Sequence, residues 1–351
     1  MDAMTVGVDL AKDVFEVAVA KAPGRIGERR RLTRKAFDTW LSALPAGTTV
    51  VMEACGTAHD WGRRCYARAL RPVLLPPQYV RPYVRRDKTD RSDVTALLEA
   101  FRAADIHPVP VKSAAQQALQ GLHGIRRQWQ TARTARINTV RGWLREYGVV
   151  LPLGAKVVAR QVPALIDDAA TPVPALIHPV IHALVTEIRD LEARVKLLDQ
   201  SLERLAQADP VAQRLQTIPG VGVIIATSLI GTVPHIHAFP RGRQFASWLG
   251  LTPRVRASGH RRFVGRISKR GDVYLRTLLT HGARSILVNA QRRARTQRPP
   301  LSALHHWGTM LATRRGQNKA ASALANKLAR IIWAVWRFDR DFVARPSASA
   351  A

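Results

Sequence analysis

The chain has 351 residues, with 55 Lys+Arg against 25 Asp+Glu and a formal net charge of +30. So basic a balance argues against an enzyme of small neutral metabolites and for a polyanionic partner, because phosphate neutralisation with counterion release supplies most non-specific affinity for nucleic acid. No run of ~18 apolar residues is present to span a bilayer, and Asp9, Lys12, Asp13 and Glu16 interrupt the first apolar stretch, which is therefore no secretion signal.

From the amino terminus, Val6–Leu10 and Val14–Ala20 read as two strands of a hairpin, with a third strand near Arg29–Leu32. Arg34–Leu44 has helical apolar spacing, and Thr49–Glu53 is a short β-branched strand. A helix over Thr57–Leu70, a strand at Pro72–Leu75 and a helix over Thr89–Ala104 follow, the last with Val94, Leu97, Leu98 and Phe101 on its apolar side. In such a sheet the strands of Asp9 and Glu53 are neighbours, with the final helix laid across their ends.

Four carboxylates in this region suit chemistry on a phosphodiester. Asp9 and Glu53 each end an apolar strand, and Asp90 and Asp93, at i and i+3, share one helix face. Taken singly, each reads as a turn residue, a cap or an N-terminal charge bias. Together they are four oxygen donors of the kind a hard cation such as Mg²⁺ takes, and paired metal ions clamp the attacking and leaving oxygens of a phosphoryl transfer. The order strand with Asp, hairpin strand, later strand with Glu, final helix with Asp is that of a ribonuclease H-like fold. Cys55 and Cys65 match no zinc spacing and read as two half-buried thiols, natural in a reducing cytoplasm.

Ser113 with Gln116 fits a capping box that opens a long helix running to Tyr147. Arg126, Arg127, Arg133, Arg136, Arg141 and Arg145 alternate there with Trp129, Trp143 and Tyr147, which suits a helix lying along nucleic acid or an ordinary solvated charged face. The Pro-rich stretch Leu151–Pro179 reads as an irregular hinge. After it Ile181, Leu184, Ile188, Leu191, Val195, Leu198, Leu202 and Leu205 keep the a/d spacing of a coiled coil. That helix has two partners open to it, the preceding helix in an antiparallel hairpin or a second subunit.

From Val211 onward there are 24 Lys+Arg and three acids, Asp272, Asp339 and Asp341. This part cannot build a carboxylate metal site of its own, so any chemistry in it falls to a hydroxyl or an imidazole. Thr217-Ile-Pro-Gly220-Val-Gly222 resembles a helix–hairpin–helix turn, in which backbone N–H groups meet DNA phosphates, and reads equally as a plain connecting turn. Ser258-Gly259 is a turn set among Arg254, Arg256, Arg261 and Arg262, with Lys269 and Arg270 close behind. Guanidinium groups so placed can stabilise an alkoxide and clamp phosphate oxygens. The histidines show no ligand spacing, and His305-His306 reads as a polar surface pair.

Gly7-Val-Asp9-Leu-Ala-Lys, Met52-Glu53-Ala-Cys-Gly and Lys88-Thr-Asp90-Arg-Ser-Asp93 resemble the motifs of the DEDD transposases of the insertion-sequence family IS110. Leu249-Gly-Leu-Thr-Pro253, Ser258-Gly259 and Ile267–Arg276 resemble that family's carboxyl-terminal domain. Cys55, Thr57, Val94 and Asp272 depart from the residues common there without removing a carboxylate. The resemblance implies a RuvC-like, ribonuclease H-like α/β domain over 1–110 whose catalytic and metal-binding acids are Asp9, Glu53, Asp90 and Asp93. It implies a helical and coiled-coil connection over 111–208, a mainly α serine transposase domain over 209–310 with nucleophile Ser258, and a basic helical tail over 311–351. Nucleic-acid contacts are expected from Gly220, Gly222, Arg254, Arg256, Arg261, Arg262, Lys269 and Arg270.

The function implied is Mg²⁺-dependent cutting and rejoining of DNA at element ends and target. A structured non-coding RNA guides it, and a homo-oligomer, dimer or tetramer, joins the acids of one subunit to the serine of another. The alternative is a RuvC-like nuclease or junction resolvase that hydrolyses DNA with water.

Overall fold

A computed structural model describes residues 4–22, 25–84, 89–296 and 302–344, in two compact units, Met1–Gln117 and Ala118–Ala351. The first is a five-stranded mixed sheet of order β3-β2-β1-β4-β5. Its strands are β1 (Thr5–Asp9), β2 (Val14–Ala22), β3 (Arg25–Thr33), β4 (Thr49–Glu53) and β5 (Arg71–Leu75). Strands β1, β2 and β3 run antiparallel in sequence, whereas β4 pairs parallel to β1, and β5 parallel to β4, through helical crossovers. The neighbouring strands expected for Asp9 and Glu53 are therefore present, and β3 is longer than its charged sequence suggested. Arg29, Arg30 and Arg31 stand on a sheet edge, where charge guards unpaired backbone.

Alternation along β1 and β4 sends Val6, Val8, Val50 and Met52 to one face, beneath α1 (Arg34–Ser42) and α2 (Ala58–Tyr66). Phe15, Phe37 and Trp61 close that core edge to face, with ring centroids 4.9–5.3 Å apart. The opposite face meets α4 (Asp90–Phe101), which follows the single turn α3 (Pro77–Val80). Helix α4 lies over the sheet rather than across the strand ends. Ala18 packs with Val94 and Leu98, and Val51 with Ala96 and Leu97. Gly7 makes this approach possible, since a Cβ there would stand 2.8 Å from Leu98 Cγ.

The second unit is helical apart from one hairpin. Ser113 and Gln116 do form the capping box of α5 (Ala114–Glu146), with reciprocal bonds of 3.1 and 3.0 Å. Within this unit α5 runs antiparallel to α7 (His178–Ala208), joined by Arg126–Asp199, Arg133–Glu192 and Arg136–Glu187 pairs at 2.5, 3.6 and 2.9 Å. The expected a/d seam is corrected at two places. Val185 and Ala206 are buried, while Leu184 is half-buried and Leu205 is 46% exposed. The buried face follows the pairing of α7 with α5 in the same chain, and a coiled coil is not established.

The expected hinge contains a third helix, α6 (Ala155–Asp167), with Pro163 inside it. Val158, Val162 and Ile166 bury one stripe against Ile137, Val140 and Ile181, enough to override the proline. The bond Pro163 cannot make is replaced, because Arg189 Nη2 donates to the Ala159 carbonyl at 2.9 Å.

The remaining core gathers α8 (Pro210–Gln216), α9 (Val223–Thr232), α10 (Gly242–Trp248), α11 (Val273–Arg295), α12 (Ala303–Arg315) and α13 (Gln317–Arg337). Helix α13 is no solvated appendage: Ala321, Leu324, Leu328 and Ile332 are all at or below 1% exposure. His305 corrects the surface reading of its pair. It is buried, its Nδ1 is 2.9 Å from Ser302 Oγ, and burial lowers its pKa. Among the described residues no helix is long and apolar enough to cross a membrane.

Candidate active site

The acids of the first unit are organised by strand register. In the parallel β1–β4 pair Val8 stands level with Met52, the last pair of the ladder, and Asp9 and Glu53 are the next residue on each strand. Asp9 lies two residues beyond Gly7 and Glu53 two beyond Val51, so both project on the face that α4 covers.

Helix α4 carries its acids to that same face. Thr89 and Ser92 form a reciprocal cap, Ser92 N donating to Thr89 Oγ1 at 3.2 Å and Thr89 N to Ser92 Oγ at 2.9 Å. This fixes Asp90 and Asp93 in the first turn, where the helix dipole favours negative charge. At spacings of four and seven they continue the Val94 and Leu97 stripe that packs on the sheet. The apolar seam of α4 thus becomes acidic in its first turn. Asp93 is half-buried and Asp90 exposed.

A fifth acid, absent from the sequence reading, belongs to the row. Glu16 on β2 pairs directly with Asp9, so the two side chains share a face, yet it is only 9% exposed. Across β3–β2–β1–β4 one level therefore holds Arg31, Glu16, Asp9 and, by extension of the register, Glu53. Arg91, between Asp90 and Asp93, brings its Nε to 4.0 Å from Glu16. Arg29 holds the same turn by donating to the Arg91 carbonyl at 3.2 Å and to Thr95 Oγ1 at 2.8 Å. The signal was available in the hairpin itself, since positions 9 and 16 are equidistant from its loop.

Among the described residues no three acidic, imidazole or thiol groups stand close enough to hold a metal ion. The acids share a face and not yet a coordination sphere. The donor set is nevertheless all oxygen and fits a hard divalent cation. The Cys65 thiol does not compete for the role, since burial pushes its pKa up to about 12.

In the second unit Ser258 ends β6 (Pro253–Ser258), and a two-residue turn with Gly259 at φ +52° leads to β7 (Arg261–Ile267). The turn was legible in the sequence and its strands were not, since their residues are almost all exposed, Val255, Phe263 and Val264 included. Ser258 pairs with Arg261 and Arg256 with Phe263, which puts Arg256 and Arg261 beside the hydroxyl and Arg262 on the other face. Arg254 is engaged elsewhere, donating to the Ser268 carbonyl at 3.0 Å. Lys269 and Arg270 lie in the clasp beneath the hairpin, where Lys269 N donates to the Gly250 carbonyl at 3.0 Å. That clasp joins the two motif segments around Gly250 and Gly271.

Gly220 and Gly222 do sit between two helices, α8 and α9. Gly220 (φ +79°) packs on α11, where a Cβ would meet the Gly282 carbonyl at 2.6 Å, whereas Gly222 is exposed at the start of α9. On α5 the basic face is largely consumed internally. Arg126, Arg133 and Arg136 pair with α7, and Arg141 donates to the Pro152 carbonyl at 2.7 Å, so the solvated-face reading fits better there.

Two family models match the chain. A DEDD model described as "Transposase" covers residues 6–149, and one described as the "Transposase IS116/IS110/IS902 family" covers residues 212–298. The transposase for insertion sequence element IS1111A of Coxiella burnetii is 39% identical over 334 residues, spanning 95% of this chain and 90% of the relative. The transposase for insertion sequence element IS1328 of Yersinia enterocolitica is 31% identical over 334 residues, spanning 94% of this chain and 96% of its own length.

Proposed function

Because the chain belongs to the IS116/IS110/IS902 transposase family, we propose that it cuts and rejoins DNA with two residue sets, the acids Asp9, Glu53, Asp90 and Asp93 and the hydroxyl of Ser258. What supports this reading is the β1–β4 register, which, carried one residue past Val8 and Met52, sets Asp9 beside Glu53, with Asp90 and Asp93 in the first turn of the helix that packs on that face. Those four residues would hold Mg²⁺, which when bound supplies charge stabilisation at phosphate oxygens.

Ser258 Oγ attacks the scissile phosphorus, an O–P bond to serine forms, and the DNA oxygen leaves. Arg256 and Arg261 on its face stabilise the charge gathering on the non-bridging oxygens. Rejoining reverses the exchange, a DNA hydroxyl displacing serine. Among the described residues no hydrogen bond reaches Ser258 Oγ, so a proton acceptor comes from outside the hairpin. Assembly of a second subunit's acids against the serine meets that need.

No polar base-reading helix stands out, and exposed arginines on a hairpin grip phosphates without reading sequence. Site choice is therefore assigned to a structured non-coding RNA encoded with the element. Full-length protein with that RNA should nick labelled element-end DNA, and Asp9→Asn and Glu53→Gln should bind it with unchanged affinity and leave it intact. Full cleavage by either variant would remove the acids from the reaction. Sequence-specific cutting by RNA-free protein would remove the guide.

A further inference from the structure

Helices α12 and α13 lie beyond residue 298, where the family match ends. Within the second unit they wall a groove of about 1670 Å³ together with α10 and the base of the β6–β7 hairpin. Small-molecule sites run to roughly 300–1,000 Å³, so this groove is sized for a polymer segment.

Its charge has one sign. Arg241 and Arg243 come from the α10 side, Arg266 and Lys269 from the hairpin base, and Lys319, Lys327 and Arg330 from α13, while no acid lines it. Among the described residues none of these seven is ion-paired. The crowding is felt locally, since burial and then neighbouring Arg330 lower the pKa of Lys327. On α13, Lys319, Ser322, Asn326, Lys327 and Arg330 recur at helical spacing opposite the buried core stripe, interleaved with Ala323, Ile331 and Ala334, so the groove wall sets cations along an apolar floor.

Two tryptophans complete it. Trp307 is 37% exposed, with Lys327 Nζ 4.2 Å from its ring centroid. Trp333 is fixed in place, its indole N–H donating to the Phe239 carbonyl at 2.8 Å. An acidic peptide would use the cations and leave the exposed ring idle. A duplex would also use only the cations, because its bases are stacked inside. A single strand offers phosphates and base faces together, the combination that cationic grooves with aromatic platforms take.

We propose that this groove holds a single-stranded segment of DNA, its phosphates on the α13 and hairpin cations and one base stacked on Trp307. The assignment rests on the reading that the chain works on DNA, where cutting exposes unpaired ends. It is tested by binding alone, in EDTA, so its failure and a failure of the cleavage chemistry are separate results.

The probes are fluorescein-labelled short oligo(dT), oligo(U) of the same length and a matched blunt duplex, titrated against the full-length chain by anisotropy. Trp307→Ala should weaken oligo(dT) binding roughly ten-fold, within the ~1–3 kcal/mol of one base stack, and Trp307→Phe should recover most of it. Lys319→Glu with Lys327→Gln should lower the salt slope for oligo(dT) by about 1.4. Lys319 is exposed, so its replacement leaves the fold intact, and melting curves confirm this for every variant. Duplex binding should change less than two-fold with Trp307→Ala, since a duplex offers no base face to the ring. Equal losses for duplex and single strand in Trp307→Ala, undiminished oligo(dT) binding by that variant, or preference for oligo(U) over oligo(dT) would each overturn the proposal.

Discussion

Replacing Gly7 with alanine drives a methyl group into helix α4. A Cβ at that position meets Leu98 Cγ at 2.8 Å and its two δ-carbons at 3.1 and 3.3 Å. Leu98 is 8% exposed and packed with Ala18 and Val94, so relief comes from lifting the helix rather than swinging the side chain. Overpacking of this kind costs about 1–3 kcal/mol. The lift also displaces Asp90 and Asp93, which continue the same helical stripe. Misplacing reacting groups by ~1 Å can lower a rate about 10²-fold, so cleavage should fall far more than DNA binding.

Leu98→Ala removes the obstacle at its own cost of about 2–5 kcal/mol. In the double variant the new methyl group partly fills the space, and cleavage should exceed that of Gly7→Ala alone. Nicking rates and urea midpoints for the four proteins form a double-mutant cycle with an expected coupling of about 1 kcal/mol or more. Additive stabilities, or full nicking by Gly7→Ala, would refute the placement of α4 over β1.

Other outcomes follow from individual contacts. Glu16→Gln should weaken the hold on Arg91 and raise the Mg²⁺ concentration needed for half-maximal nicking, with Glu16→Asp recovering part of it; an unchanged metal dependence removes Glu16 from the site. His123 is 3% exposed between Thr227 and Tyr274, and burial holds its pKa down at about 4 against 6.5 in the unfolded chain. The unfolded state therefore binds the extra proton between those values, and stability should fall as pH drops from 6.5 to 4, by at most about 3 kcal/mol. Denaturant titrations at both ends should show a shallower slope for His123→Gln, with a remainder from His59, also lowered to about 4. Arg189→Ala should cost about 0.5–1.5 kcal/mol and less in a Pro163→Ala background, where the helix can satisfy the Ala159 carbonyl itself; equal losses in both backgrounds would show that this bond contributes nothing.

The amino-terminal sheet was legible because local signals agreed. Strands β1, β2 and β4 run apolar, Thr89 and Ser92 write their own cap, and Asp9 and Glu53 end strands whose crossover fixes the strands as neighbours. What escaped was set by tertiary context. Pro163 masked α6, whose missing bond comes from Arg189 on another helix. The α7 stripe drifted by one residue at Val185 and Ala206, because α7 pairs with α5 in the same chain. Strand β6 does alternate, Arg254, Val255, Arg256 and Ala257, but Val255, Phe263 and Val264 stay exposed, so its period marks no buried face. Glu16 was hidden by treating strands singly, when its role arises from the hairpin register that sets it against Asp9.

The central claim is that acids and serine act in one DNA exchange. Its most direct measurement is mass spectrometry of the protein after incubation with labelled element-end DNA, the element's RNA and Mg²⁺, quenched in denaturant and digested with nuclease and trypsin. The account predicts a nucleotide adduct on the peptide carrying Ser258, absent with EDTA, with Asp9→Asn and with Ser258→Ala. Cleaved DNA without any protein adduct, or an adduct that persists in Ser258→Ala, would contradict it.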